Sequence, residues 1–256
     1  MTGAAAAEQL VDPSLPAVIG ASVIGDAHVR TGLPCQDAFR AIVRDDLVVI
    51  AVADGLGSAA HADLGAATAA EAAAFRADAL AGGDPVRAAL EGVVFARESL
   101  EELAATEALE LRTLACTLMV VVAAERIGIA HIGDGGVVAL RGEQPVLVSP
   151  AAASEYVNEV TPLTSDEWID HVRPSGCLPG VDAIAAFTDG CQHAAVRRDH
   201  SGVVRAHAGF FGPLFGYLRE GVDERDGCVA LAELLSGAKM CEHSDDDKTL
   251  VLATLR

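Results

Sequence analysis

Short runs of β-branched and small apolar residues fall into two blocks of the chain, with two long helical patterns between them. The helical patterns span 60–80 and 85–111, and the glycines and proline of 82–85 separate them. Shorter helices are predicted at 214–219 and 229–235. The predicted strands are 17–24, 38–43, 47–53, 113–123, 126–132, 137–140, 145–149, 168–172, 182–188 and 249–254. Because strands and helices do not alternate regularly, this order favours antiparallel sheets with helices packed outside them.

The connections between several predicted strands are short and rich in Gly and Asp, so we predict hairpins at 44–46 and at 133–136. The composition indicates neither a linker nor an internal repeat. We therefore expect one domain over 17–256, preceded by a flexible leader at 1–16. Residues 150–180 contain four prolines, and we predict a loop-rich insertion there.

The charge balance excludes several classes of partner. Asp and Glu number 37 against 18 Lys and Arg, a formal net charge of −19. The longest basic run is Arg197–Arg198, so neither nucleic acid nor an anionic membrane surface is an expected partner. The apolar stretch 114–124 is too short to cross a bilayer, and the N-terminus does not have the pattern of a secretory signal. The six cysteines form no C-x-x-C pair, which predicts reduced thiols and a cytoplasmic protein.

Four aspartates lie next to predicted strands. Asp54 and Asp189 each follow a strand and precede a glycine, whereas Asp37 and Asp246 each come directly before a strand or close to one. Carboxylates gathered at one edge of a sheet repel each other unless a cation lies among them. Hard divalent ions such as Mg²⁺ and Mn²⁺ prefer oxygen ligands, so this pattern is consistent with a metal site.

A turn is the simpler interpretation of an isolated Asp-Gly pair, because Asp-Gly is a strong hairpin signal. Asp134-Gly135 and Asp226-Gly227 are of this kind. The segments after Gly55 and Gly190 do not return at once as a second strand, which weakens the hairpin interpretation for those two. The sequence alone leaves open whether the acids converge.

Five segments resemble, in chain order, the motifs of bacterial members of the metal-dependent protein phosphatase 2C (PPM) family. The opening motif combines G-A-S-V-I-G at 20–25, His28 and G-L-P-C-Q-D-A-F at 32–39. The other four are V-A-D-G at 52–55, G-D-G at 133–135, F-T-D-G at 187–190 and D-D-K-T-L at 246–250. The resemblance spans 20–254, nearly the whole chain.

The resemblance implies an α+β fold in which two antiparallel β-sheets form a central sandwich flanked by helix pairs (αββα). It also implies two Mn²⁺ or Mg²⁺ ions at one end of the sandwich, with a third, weaker metal position. The implied metal-binding residues are Asp37, Asp54, Asp189 and Asp246 through their carboxylates, Gly55 through its carbonyl, and Asp134 at the weaker position.

The activity implied by the resemblance is hydrolysis of phosphoserine and phosphothreonine by a metal-activated water. The implied partners are a phosphorylated protein substrate and the Ser/Thr kinase that produces it. Two alternatives remain at this point: a catalytically weak regulatory or binding module with the same fold, and a two-metal phosphoesterase that acts on small molecules.

Two departures from the family pattern motivate the first alternative. Gln36 stands where many eukaryotic members have Glu, and Leu56 stands where they have a His that is proposed as the general acid. Arg30, seven residues before Asp37, is a candidate phosphate contact, although this spacing is unusual for the family. His28 is a candidate phosphate contact or proton donor.

The acidic triplet before the last strand contains one implied ligand. Alternation along an extended chain places Asp246 on one face and both Asp245 and Asp247 on the other. We therefore expect Asp246 to bind metal, Asp247 to serve as a hydrogen-bonding support, and Asp245 to be dispensable. On this basis the sequence predicts only a mild effect of Asp247→Asn.

Overall fold

A computed structural model of the chain describes residues 16–149, 160–176 and 179–255. Nearly all of the predicted leader and residues 150–159 of the predicted insertion lie outside this part. The strands are β1 (Val18–Val23), β2 (Asp37–Arg44), β3 (Leu47–Asp54), β4 (Leu118–Ala123), β5 (Ile127–Ile132), β6 (Gly136–Arg141), β7 (Gln144–Ser149), β8 (Arg173–Gly176), β9 (Ala183–Phe187), β10 (Val196–Arg198), β11 (Val204–Ala206) and β12 (Lys248–Thr254). The α-helices are α1 (Asp26–Thr31), α2 (Ala62–Leu80), α3 (Pro85–Thr106), α4 (Trp168–His171), α5 (Gln192–Ala195), α6 (Ala208–Arg219), α7 (Glu224–Leu235) and α8 (Ala238–Cys241).

Two five-stranded sheets form the centre of the molecule. One has the strand order β1-β12-β9-β6-β7 and the other β2-β3-β4-β5-β8, while β10 and β11 pair separately. Every strand pair in both sheets is antiparallel. The predicted sandwich of two antiparallel sheets is confirmed.

The central strands of both sheets are buried on both faces because most of their residues are apolar. In β4, Leu118, Val120 and Val122 pack toward α2 and α3. The alternate residues of the same strand, Met119 and Val121, pack against the other sheet. A strand side chain points to the opposite face from its neighbour, so one unbroken apolar run supplies two cores at once.

Small residues allow the helix pair α2–α3 to lie close to its sheet. The buried face of α2 consists of alanines and one glycine, Gly65, where a Cβ would come within 2.2 Å of the Leu114 carbonyl oxygen. Helix α3 starts as predicted, with Pro85 in its first turn and the Asp84 side chain accepting a hydrogen bond from the Arg87 amide. Among the described residues, no helix is both long and apolar enough to span a bilayer.

The fold differs from the sequence prediction in several places. The strand predicted at 113–123 begins only at Leu118, because residues 111–114 form a 3₁₀ turn. Residues 168–171 form the helical turn α4 instead of a strand, and the strand of this region is β8. The hairpin predicted at 133–136 is wrong, because β5 and β6 belong to different sheets and this segment crosses between them. Helix α1 and the hairpin β10–β11 were not predicted, since short polar elements have little apolar periodicity.

Candidate metal centre

The ends of several strands meet at one edge of the sandwich. Asp37 is the first residue of β2 and Asp54 is the last of β3, and the two are cross-strand partners. In the other sheet, the end of β9 pairs with the start of β6 through Phe187 and Gly136. Asp189 therefore follows β9 at the same edge where Asp134 precedes β6.

The structure brings three of these carboxylates into one group. Oxygen atoms of Asp54, Asp134 and Asp189 all lie within 4.8 Å of one another. Asp54 ends a strand of one sheet, Asp189 follows a strand of the other, and Asp134 lies in the segment that crosses between the sheets. The group therefore sits across the opening between the two sheets.

Burial and mutual repulsion together raise the pKa values of these carboxyl groups. Burial raises the pKa of Asp54 well above its ordinary value, and the charges of Asp37, Asp189, Asp134 and Asp246 raise it further. The pKa of Asp37 rises to about 7, chiefly through burial. Burial, followed by the charges of Asp134 and Asp246, raises the pKa of Asp189 to about 6. The other four acids thus all act on Asp54, and a cation among them would relieve the repulsion.

Asp37 has one oxygen held by the protein and one that is not. Its Oδ2 accepts a hydrogen bond of 2.7 Å from the Thr188 hydroxyl, and the Thr249 amide donates in turn to the Thr188 oxygen at 2.9 Å. Its Oδ1 is buried and has no hydrogen-bond partner in the part of the chain that the structure describes. A buried carboxylate oxygen without a donor is costly, so this atom fits a bound cation.

Asp54 is held by the segment just before β4. Its amide donates to the Thr117 hydroxyl at 3.2 Å, and its carbonyl accepts from the Thr117 amide at 2.7 Å. The next residue, Gly55, donates its amide to the Gln36 carbonyl at 3.0 Å. A Cβ on Gly55 would come within 2.7 Å of the Ala62 carbonyl oxygen, so only glycine allows helix α2 to start this close to the site.

Arg173, which the sequence did not single out, supports the segment that carries Asp134. Its Nη2 donates to the Gly133 carbonyl at 2.8 Å, and its charge and that of Asp134 act on each other. Gly133 has φ +122°, a conformation that a residue with a side chain rarely adopts. An arginine from β8 thus holds the crossover beside the acids, at a position where the backbone requires glycine.

The three residues of the acidic triplet before β12 lie in three different environments. Asp246 is exposed, and its Oδ1 accepts from the Asp247 amide at 2.8 Å. Asp247 is buried, and its two oxygens accept from the amides of Gly25 and Gln36 at 2.7 and 2.5 Å. Asp245 is exposed and pairs with Arg30. The charge of Asp246 raises the pKa of Asp54 and of Asp189, whereas the charge of Asp247 raises the pKa of Asp37.

The two candidate residues of the opening motif, His28 and Arg30, both contact this triplet. His28 Nδ1 lies 2.9 Å from Asp247 Oδ2, with 12% of its side chain exposed. Arg30 Nη2 lies 2.6 Å from Asp245 Oδ2, and both of these side chains are more than 60% exposed. His28 is thus tied to a buried carboxylate, whereas Arg30 is held only by a solvent-exposed pair.

The cysteines near the acids are poor nucleophiles. Burial raises the pKa of Cys116, which bridges to Gly55, to about 12. Burial and the charge of Asp247 raise the pKa of Cys35 to about 12. A thiol that stays protonated at neutral pH does not attack phosphorus.

Gly190 controls how closely the Asp189 turn approaches the triplet, which leads to a prediction about stability. A Cβ on Gly190 would come within 1.9 Å of the Asp247 carbonyl oxygen. We expect Gly190→Ala to lower the free energy of unfolding by about 1–3 kcal/mol, because the backbone of one segment must move. The measurement is urea unfolding followed by circular dichroism.

The matched control is Gly216→Ala, at an exposed position of helix α6 where a Cβ would meet nothing within 4 Å. This change should raise the free energy of unfolding by about 0.5–1 kcal/mol, since alanine favours the helix. Equal effects of the two substitutions would contradict the close approach at Gly190.

Known proteins match this arrangement over most of the chain. The profile of the family described as Protein phosphatase 2C matches residues 24–236. The chain is also 32% identical over 249 residues to serine/threonine-protein phosphatase 3 of Escherichia coli (strain K12), covering 92% of this chain and 97% of that protein. The chain belongs to the protein phosphatase 2C family, and the class predicted from its motifs is confirmed.

Solved structures share the fold at low sequence identity. The catalytic domain of the serine/threonine protein phosphatase PstP, in complex with two manganese ions, has a TM-score of 0.63 at 18% identity, covering 94% of this chain and 98% of that one. A bacterial serine phosphatase has a TM-score of 0.62 at 13% identity, covering 93% and 97%. RsbX in complex with magnesium has a TM-score of 0.55 at 12% identity, covering 94% and 96%.

Proposed function

We propose that this protein hydrolyses phosphoserine and phosphothreonine in proteins, with two Mn²⁺ or Mg²⁺ ions bound among its clustered aspartates. The observation that carries the proposal is the group formed by Asp54, Asp134 and Asp189, whose oxygens lie within 4.8 Å of one another. Family membership and the name of the relative from Escherichia coli support it.

The residues present fit a pair of divalent ions. Carboxylates are the ligands that Mg²⁺ and Mn²⁺ prefer, and the unpartnered Oδ1 of Asp37 supplies an acceptor in a buried position. When bound, such ions would lower the pKa of a coordinated water and neutralise charge on the phosphoryl oxygens. We propose as their ligands the carboxylates of Asp37, Asp54, Asp189 and Asp246 and the carbonyl of Gly55, with Asp134 at an additional, weaker position.

The remaining residues position these ligands and meet the substrate. The Thr188 hydroxyl and the Thr117 side chain orient Asp37 and Asp54 through the hydrogen bonds described above. We propose that His28 serves the site through its contact with Asp247. Arg30 remains a proposed phosphate contact, because a solvent-exposed pair such as Arg30–Asp245 contributes little and can be exchanged.

The proposed setting is the cytoplasm, with a Ser/Thr kinase that supplies the phosphorylated substrate. Cys35, Cys116, Cys191, Cys228 and Cys241 are free thiols, which suits a reducing compartment. The kinase is inferred from the chemistry alone, since a phosphoprotein phosphatase requires an enzyme that forms the phosphoester.

The test is phosphate release from phosphoserine and phosphothreonine peptides by protein stripped with EDTA and then titrated with Mn²⁺ or Mg²⁺. We expect no turnover in EDTA, because unmetallated carboxylates repel the phosphate, and full recovery with either ion. Undiminished turnover in EDTA would contradict the metal centre. Absence of turnover on several peptides in Mn²⁺ would instead favour a regulatory module with the same fold.

A further inference from the structure

The hairpin β10–β11 is an unusual surface for a protein of this charge. Residues 196–206 contain three arginines against one aspartate, whereas the whole chain has a net charge of −19. All three arginines are exposed. The sequence shows only the adjacent pair Arg197–Arg198, and the fold adds Arg205 to it by strand pairing. We call this surface the arginine hairpin.

The pairing within the arginine hairpin places like charges opposite each other. Arg197 and Arg205 are direct cross-strand partners in an antiparallel ladder. Side chains at such positions lie about 5 Å apart at their Cβ atoms, and like charges there are destabilising. Asp199 relieves part of the repulsion by accepting from Arg205 Nε at 2.7 Å. An anion between the two guanidinium groups would relieve the rest.

The elements packed against the arginine hairpin provide no carboxylate for this purpose. Strand β11 contacts β7, strand β10 contacts α5, and α5 contacts α6. Neither of the two elements that contact the hairpin, Gln144–Ser149 and Gln192–Ala195, contains Asp or Glu, and neither does Ala208–Arg219, which contacts α5. Within these described neighbours, Arg197 is held only by backbone carbonyls, those of His193 and Val196.

The arginine hairpin also comes directly after the metal centre along the chain. Asp189 begins a short 3₁₀ turn, helix α5 continues it to Ala195, and β10 starts at the next residue. With a rise of about 1.5–2 Å per helical residue, Asp189 and Val196 are separated by roughly 10–14 Å along this segment. An extended peptide covers that distance in about three to five residues.

We propose that the arginine hairpin binds acidic residues of the protein substrate, about three to five positions from the phosphorylated residue, through Arg197 and Arg205. This inference rests on the proposed phosphatase function and specifies the substrate class. Most of a surface with this net charge would repel an acidic peptide segment. A local basic site next to the metal centre would therefore determine where such a segment binds.

The experiment compares matched phosphoserine peptides that carry either three glutamates or three glutamines at positions three to five, on the N-terminal or the C-terminal side. We expect the wild type to show a kcat/KM about three- to tenfold higher for one of the glutamate peptides. The preference should disappear in the double variant Arg197→Gln, Arg205→Gln and should weaken at high salt. Turnover of p-nitrophenyl phosphate should not change.

The control is the double variant Arg87→Gln, Arg112→Gln, which removes the same charge from two arginines that are at least 80% exposed elsewhere. It should keep the preference. Equal rates for glutamate and glutamine peptides in the wild type, or equal losses in both double variants, would overturn the proposed contact.

Binding distinguishes failure of this proposal from failure of the proposed function. The unphosphorylated glutamate peptide, labelled for fluorescence anisotropy, should bind the wild type more tightly than the hairpin variant whether or not the protein turns over phosphoesters. Tighter binding of a single-stranded DNA of equal charge would overturn the choice of an acidic polypeptide. If the protein hydrolyses neutral phosphopeptides and shows no preference for acidic ones, the proposed contact with acidic residues is wrong while the proposed phosphatase function stands.

Discussion

Asp54→Asn is expected to lower turnover on phosphopeptides by about 10³-fold or more, because it removes charge from the centre of the acid group. Asp54 is the one residue of the cluster on whose pKa the other four acids all act. Its backbone is held on both sides by Thr117, so the neutral side chain should occupy the same place. The measurement is kcat at saturating Mn²⁺, with metal affinity from calorimetry.

The same substitution should stabilise the metal-free protein at neutral pH. Burial raises the pKa of Asp54 above its ordinary value, so the folded state holds a proton that the unfolded state has lost. Stability is therefore lost as the pH rises through the raised pKa, and the asparagine variant avoids this loss. Melting curves in EDTA should show the Tm of the wild type falling more steeply than that of the variant as the pH rises from about 4, the ordinary pKa of an aspartate, toward neutral.

Asp45→Asn is the matched control, because it makes the same change in the exposed turn at the opposite end of the same strands. Asp45 has φ +47°, which asparagine also tolerates. Its turnover and its dependence of Tm on pH should equal those of the wild type. If Asp54→Asn retains wild-type turnover, Asp54 is not a ligand of a catalytic metal.

Substitutions in the triplet before β12 should have three different results. Asp246→Ala is expected to weaken Mn²⁺ binding and nearly abolish hydrolysis while the protein stays folded. Asp245→Ala should change turnover little, since it breaks only an exposed pair with Arg30. Loss of metal in Asp245→Ala with retention in Asp246→Ala would show that the wrong residue of the triplet was assigned as ligand.

Asp247→Asn is expected to be severe, which replaces the mild effect predicted from the sequence. Oδ1 accepts from the Gly25 amide and Oδ2 from the Gln36 amide, so either orientation of an asparagine places its NH₂ against a buried backbone N–H. An unsatisfied buried donor costs about 1–3 kcal/mol. We expect a matching loss in the free energy of unfolding, together with weaker metal binding, because Gln36 immediately precedes Asp37.

His28→Ala is the comparison for Asp247→Asn, because it removes only one of the groups that contact the Asp247 carboxylate. It should cost less stability than Asp247→Asn. If Asp247→Asn unfolds at the same urea concentration as the wild type, the carboxylate is not required as an acceptor for both amides.

Local patterns in the sequence predicted antiparallel strands and the aspartates at the strand ends, and the motifs predicted the family, whose resemblance implied the sandwich of two sheets. An apolar run such as 47–53 specifies a buried strand by itself, and an acid next to a strand can only lie at an edge of the sheet. The shared edge follows for Asp37 and Asp54, since a tight hairpin at 44–46 makes them cross-strand partners.

Contacts between distant segments were decided only by the tertiary structure. Residues 133–136 have the composition of a hairpin turn, yet they cross between the sheets, because β6 finds its partners in β7 and β9. The donors around Asp247 come from residues more than 200 positions away, and Arg205 joins Arg197 through pairing of short strands with little apolar periodicity. Such contacts depend on which surfaces pack together, and packing leaves no periodic signal in a single sequence.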